Sequence, residues 1–219
     1  MMAARRDFAD RQILASALAR DVAQRLDAAL RDSGGALIAV SGGTTPKVFL
    51  ERLSREPIDW LRVTVTLVDE RCVPEESERS NARLVKTHLL ANAAAAATFV
   101  PLFKNESAAA NLGRFDVVVL GMGPDGHTAS FFPRGDRLAD ALDLNRKGRI
   151  IAIEAPGAGE PRLTFSLPAL LDAGFIALHI EGKEKAQALV EALEPGPVED
   201  MPVRAVLRAA APIIVYWSP

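Results

Sequence analysis

Apolar residues along the chain follow two periods. From Phe8 to Leu30, the residues Leu14, Leu18, Val22, Leu26 and Leu30 recur every four positions, which predicts an amphipathic helix that Gly34 and Gly35 stop. Elsewhere the apolar positions run together. Ala36 to Val40, Val63 to Val68, Asp116 to Leu120, Ile150 to Ile153, a stretch beginning near Arg162, Phe175 to Ile180 and Ile213 to Trp217 read as strands, the unbroken ones as strands buried on both faces. Helical signals separate them. Thr45 is placed as N-cap and Pro46 as first residue of a helix through Leu53, and Ser80 as cap of a helix carrying Leu84, Val85, His88 and Leu89. Gly182 opens a helix with Ala186, Leu189, Val190 and Leu193 on one face, and a short helical piece starts at His127 and ends at Pro133. This alternation predicts an α/β fold over residues 1–219, one domain with a mainly parallel sheet and helices on both faces.

Composition narrows the function classes. The chain of 219 residues is 49% apolar, enough for a sizeable core, and its 26 basic and 28 acidic residues are scattered, leaving no electrostatic footprint for nucleic acid. Cys72 is the only cysteine, so neither an internal disulfide nor a cysteine-rich metal site is expected, and a reducing, cytoplasmic setting fits. The segment MMAARRDFADRQ has no apolar core, and the bland run Ala93 to Ala97 is too short to span a bilayer, so neither a signal peptide nor a membrane segment is expected. No internal repeat is visible. Ala91 to Ala97 and Pro195 to Pro202 read as surface connections, and the chain is expected to act as a monomer or homodimer.

The chemistry concentrates in loops that follow strands, where ligands gather in open α/β sheets. SGGTTP sets backbone amides, Gly42, Gly43 and the hydroxyls of Ser41, Thr44 and Thr45 at a helix start, which suits a phosphate; a turn needing glycine for geometry alone has the same composition. DERCVP supplies Asp69, Glu70 and Arg71 as acceptors for sugar hydroxyls and a fixed cation, or as a structural ion pair. Lys183 and Lys185, early in a helix, oppose its dipole, a penalty that an anionic ligand removes. GMGPDGH brings Asp125, Gly126 and His127 into a glycine-rich turn, and histidine is suited to moving protons near neutral pH. The G-x-G-x-x-G pattern argues weakly for a dinucleotide, because Pro133 cuts off the long helix such a site needs. His88 falls in a helix pattern and His179 in a strand pattern, where packing or surface roles are expected, and nothing marks Cys72 as an activated nucleophile.

Taken in order, AVSGGTTP, VDERCVP with Ser80 and Asn81, GMGPDGHTASFFP, RLTFS and GKEKA resemble the motif series of the 6-phosphogluconolactonase family, from about Leu37 to Leu193. The resemblance implies the fold shared with glucosamine-6-phosphate deaminases and hydrolysis of 6-phospho-D-glucono-1,5-lactone to 6-phosphogluconate without metal or organic cofactor. It implies a phosphate held by Ser41, Gly42, Gly43 and Thr44 with Lys185 and Arg162, and a lactone bordered by Asp69, Glu70 and Arg71. It implies a reacting centre at Asp125, Gly126, His127 and Thr128. On this pattern His127 is the general base, Asp125 orients it, and Arg71 or the loop amides meet the oxyanion. Phe165, Ser166 and the FFP ending depart from the commoner leucine, threonine and LFP while keeping apolar or hydroxyl character. Two other readings compete: a glucosamine-6-phosphate deaminase or isomerase, whose glutamate shortly after the histidine has no counterpart here, and a sugar-phosphate sensor without turnover, against which Asp125 and His127 speak.

Overall fold

The computed structural model describes residues 4–219. Strands are β1 (Ala4–Asp7), β2 (Ala36–Val40), β3 (Val63–Leu67), β4 (Asp69–Arg71), β5 (Thr98–Val100), β6 (Phe115–Leu120), β7 (Ile150–Ile153), β8 (Arg162–Phe165), β9 (Ala173–Glu181) and β10 (Ile213–Ser218). Helices are α1 (Arg11–Ser33), α2 (Lys47–Leu53), α3 (Asn81–His88), α4 (Glu106–Ala110), α5 (Leu138–Leu142), α6 (Leu167–Leu171), α7 (Lys183–Leu193) and α8 (Val203–Leu207).

Seven strands form one sheet in the order β1-β10-β9-β6-β2-β3-β5, and every pairing in it is parallel. All five residues of β2 are buried, as are the last four of β6, so layers cover both faces of the sheet centre. The long helix α1 supplies part of that cover. Asp10 caps it, accepting from the amides of Gln12 and Ile13 at 2.8 Å, and Gly34 closes it in the left-handed conformation at φ 81°. Its stripe Leu14, Leu18, Val22, Leu26 and Leu30 is buried, in agreement with the four-residue spacing.

The sheet positions the site through its strand order. From β2 the chain runs outward to β3 and β5, then returns to place β6 on the other side of β2 and continues to β9 and β10. The direction of winding therefore reverses between β2 and β6, and their carboxyl ends splay apart into a crevice. The amide of Ser41, just past β2, still bonds Val119 O in β6 at 3.0 Å, so the two loops that leave these strands start side by side.

Several expectations are corrected. Ile150–Ile153 and the strand beginning at Arg162 leave the main sheet and, with β4, make a three-stranded antiparallel sheet in the order β4-β8-β7. Residues after His127 are not helical: Ala129 lies at φ 51°, Phe131 N bonds Thr128 O at 2.9 Å, and Thr128 and Phe131 pair as an antiparallel bridge around a turn. Thr45 does not cap α2, which starts one residue later at Lys47 after Pro46 and has no side-chain cap. The edge strands β1 and β5 fall where no strand is expected. Among the described residues, no helix is long and apolar enough to cross a membrane.

Candidate active site

A cleft of about 230 Å³ opens at the carboxyl ends of the main strands. Ser41, Gly42, Gly43 and Thr44 form one wall, Asp69, Arg71 and Arg162 another, His127 reaches it from the loop after β6, and Lys185 from the first turn of α7. Sequence-selected residues far apart in the chain thus face one space.

The phosphate-type loop is tight because a side chain from elsewhere fills it. A Cβ at Gly42 would lie 1.8 Å from Oδ1 of Asn81, whose Nδ2 donates to the carbonyl of Asp69 at 2.8 Å. Asn81 therefore ties this loop to β4, and it lines the cleft itself. Opposite, the Nζ of Lys185 donates to Oγ1 of Thr45 at 3.0 Å. Burial pulls the Lys185 ammonium below the ordinary lysine value, with Glu181 and Glu184 opposing that shift. Arg162 is buried, donating to Ala158 O at 2.8 Å and lying 3.8 Å from Asp69 and 3.5 Å from Glu160. Asp69 is in turn bonded by Ser130 Oγ at 2.6 Å. Arg71 is pinned by donating from Nη1 to the carbonyl of Arg79, while its Nε is buried without a hydrogen-bond partner among the described residues.

The glycine-rich turn presents the imidazole. Nδ1 of His127 lies 2.6 Å from Oδ1 of Asp125, and the ring stacks on Phe132 with centroids 4.5 Å apart. The turn is closed by Gly123 N to His127 O at 2.9 Å and by Thr128 Oγ1 donating to Gly121 O at 2.7 Å. A Cβ on Gly123 would lie 2.3 Å from the His127 ring, so only glycine leaves room for this ring position. No helix follows to receive a pyrophosphate, which removes the structural basis for dinucleotide binding at G-x-G-x-x-G.

Four of the expected site residues do not line the cleft. Glu70 is 2% exposed and turned inward, where its carboxylate accepts the amides of Arg71, Asn81 and Ala82 at 2.7 to 2.8 Å; burial pushes its pKa up against those bonds. Thr128 is fully buried, its hydroxyl consumed in the loop closure. Gly126 packs against Met201, and its carbonyl accepts from Val203 N at 2.9 Å. Asp125 stands behind His127 rather than in the cleft wall. Lys183, two residues before Lys185 and so on the other side of α7, is also outside it. Burial pushes the Cys72 thiol up, which disfavours a thiolate.

Two cleft residues, Asn81 and His179, have no site role in the sequence reading. Asn81 follows a helix cap and reads as an ordinary helix start. His179 reads as packing, yet it shares a face of β9 with Glu181 at the strand's carboxyl end, which is the signal that points it toward the crevice. Among the described residues, no cluster of three His, Cys, Asp or Glu side chains could hold a metal ion.

A glycine-rich loop set across a crevice from a carboxylate-paired imidazole, at the winding reversal of a parallel α/β sheet, has the form of a small-molecule enzyme site. The chain belongs to the family described as glucosamine-6-phosphate isomerases/6-phosphogluconolactonase, whose model matches residues 9–215. A 6-phosphogluconolactonase of Rhizobium meliloti (strain 1021) is 54% identical over 97% of this chain and 97% of its own. That of Pseudomonas putida is 44% identical over 97% and 92%. The crystal structure of a 6-phosphogluconolactonase from Shewanella baltica OS155 matches with a TM-score of 0.95 at 38% identity over 100% of both chains. A monomeric glucosamine-6-phosphate deaminase has a TM-score of 0.76 at 18% identity over 98% of this chain and 97% of its own, a likeness of fold alone.

Proposed function

We propose that this chain hydrolyses 6-phospho-D-glucono-1,5-lactone to 6-phosphogluconate, the second step of the oxidative pentose phosphate route, in the cytoplasm. The observation that carries this reading is that the Ser41–Thr44 loop, Lys185 and Arg162 share one sugar-sized cleft with His127. Family membership and the names of its relatives support it.

In this mechanism the loop amides, Lys185 and Arg162 hold the phosphate, and that remote grip fixes the lactone carbonyl near the imidazole. Asp125, bonded to Nδ1, leaves the Nε2 lone pair of His127 to take a proton from water as the water attacks the carbonyl carbon. Negative charge grows on the carbonyl oxygen, and Arg71, whose Nε has no hydrogen-bond partner among the described residues, or the amides of the glycine-rich turn stabilise it. The tetrahedral intermediate then expels the ring oxygen, which receives the proton from His127. Asp69 borders the sugar hydroxyls. Glu70, Gly126 and Thr128 act as structure, for the reasons given by their burial. The deaminase reading lacks a carboxylate: from Thr128 to Pro133 there is none, and Phe132 covers the imidazole.

The test is a coupled assay. Lactone is generated by glucose-6-phosphate dehydrogenase, and oxidation of 6-phosphogluconate is followed with and without this protein. Acceleration well above spontaneous hydrolysis is expected; a rate equal to the background overturns the assignment.

A further inference from the structure

His179 is 2% exposed, yet it is a polar side chain among the apolar residues of β9. Its Nε2 lies 3.2 Å from Oε1 of Glu181, and its Nδ1 is buried without a hydrogen-bond partner among the described residues. Glu181 only accepts, so Nε2 carries the hydrogen and Nδ1 presents a lone pair. A nitrogen left unpaired in the interior costs about 1–3 kcal/mol, and a residue that served packing alone would be better replaced by leucine or isoleucine. The same residue lines the cleft at the end where Lys185 and Thr45 meet.

The surrounding charges are few. Glu181 accepts from His179 on one oxygen and lies 3.3 Å from the Arg11 guanidinium of α1 on the other. Lys185 of α7 is the cation felt by the imidazole, and Phe49 of α2 meets it edge-on with centroids 6.0 Å apart. Burial first, with Lys185 adding, holds His179 below the ordinary histidine value against the pull of Glu181, so the empty cleft contains a neutral imidazole at neutral pH.

We propose that His179 is a proton-linked third cation for the phosphate: when a phosphate dianion settles beside Lys185, the imidazole takes one proton from solvent and donates Nε2–H to Glu181 and Nδ1–H to a phosphate oxygen. The proposal rests on the phosphosugar reading above. Two negative charges arriving next to an imidazole already bonded to a carboxylate reverse the balance that kept it neutral. The device has a physical use. A permanently charged imidazole would face the Lys185 ammonium without ligand, whereas one charged by the ligand adds attraction only when the ligand is there.

The experiment is calorimetric titration of 6-phosphogluconate into the full chain near pH 7.5, in two phosphate-free buffers of different ionisation enthalpy, which gives the protons taken up on binding. Wild type is expected to take up about one proton more than His179→Gln. The variant is expected to bind about tenfold more weakly and show a similar rise in KM, while kcat changes by less than about threefold. Glu181→Gln keeps an acceptor for Nε2 but removes its charge, so uptake should fall there too. Should His179→Gln fail to fold, histidine-labelled wild type supplies the answer, because the His179 resonances must move from neutral to imidazolium as 6-phosphogluconate saturates the cleft. Equal proton uptake in wild type and His179→Gln, or resonances that stay neutral, overturns the proposal. Lactone turnover without the proton difference removes this inference alone; no binding of 6-phosphogluconate and no turnover removes the functional reading with it.

Discussion

Oδ1 of Asp125 receives two bonds from one residue: Nδ1 of His127 at 2.6 Å and the His127 backbone amide at 3.1 Å. Burial works against this carboxylate, but the imidazole bond, its charge and the amides outweigh it and hold Asp125 below the usual carboxylate range. An ionised Asp125 fixes both the ring position and its tautomer. His127→Ala should therefore fold, still bind 6-phosphogluconate, and lose about 10²- to 10⁴-fold in kcat. Asp125→Asn keeps the shape and loses the charge, and kcat should fall about tenfold to a hundredfold. Single-turnover rates check both; wild-type turnover in His127→Ala would refute its role as base.

Gly123 tests the same geometry without touching a titrating group. A methyl there would lie 2.3 Å from the His127 ring and 2.6 Å from Asp125 Oδ1, so the pair must shift. Gly123→Ala is expected to cost at least about tenfold in kcat while thermal unfolding moves by only a few degrees, since the methyl meets the partly exposed side chains of His127 and Asp125 rather than the core. A variant with wild-type kcat would show that ring placement is not critical.

The main sheet was legible in the sequence because its central strands are continuous apolar runs, and those runs mark strands buried on both faces. The antiparallel sheet was not. Its member β4 is only three residues long and charged, Asp69–Arg71, so it reads as a turn, and nothing local in β7 or β8 distinguishes them from strands of the main sheet. Loop membership of the site was legible from strand–loop order. Side-chain direction was not: Glu70 and Asp69 are adjacent, alternate across β4, and so face opposite ways, one into the cleft and one into the body. Thr45 and Pro46 mimic a helix start, but the Thr45 hydroxyl is committed to Lys185, a partner 140 positions away that local patterns cannot reveal.

Glu70 is then a structural clamp, and its removal should be read in stability. Its carboxylate is the acceptor for the amides of Arg71, Asn81 and Ala82, which join β4 to α3. Glu70→Ala leaves those donors buried and unpaired, and the expected loss is roughly 3 kcal/mol in urea unfolding. Because burial raises its folded pKa, the ionised clamp is costliest at neutral pH and that cost is relieved as pH falls through the raised value. A loss below about 1 kcal/mol would mean that water or another group takes over the three amides.

Lys185 supplies a pH dependence in binding whose sign follows from its surroundings. Burial lowers its pKa, Glu181 and Glu184 pull it back up, and the net direction is down. The Lys185 ammonium therefore disappears, as pH rises, earlier than an ordinary lysine of pKa about 10.4 would lose it. Affinity for 6-phosphogluconate should decline as pH rises, beginning before an ordinary lysine would lose its charge. Lys185→Arg keeps its charge throughout and should flatten the decline, although its planar head cannot reproduce the bond to Thr45. Lys185→Ala should bind at least about tenfold more weakly at pH 7.5, raise KM more than it lowers kcat, and show no such decline. Calorimetric Kd values from pH 7.5 upward decide the matter: an alkaline loss of affinity of equal size in wild type and Lys185→Ala would take the phosphate away from this lysine.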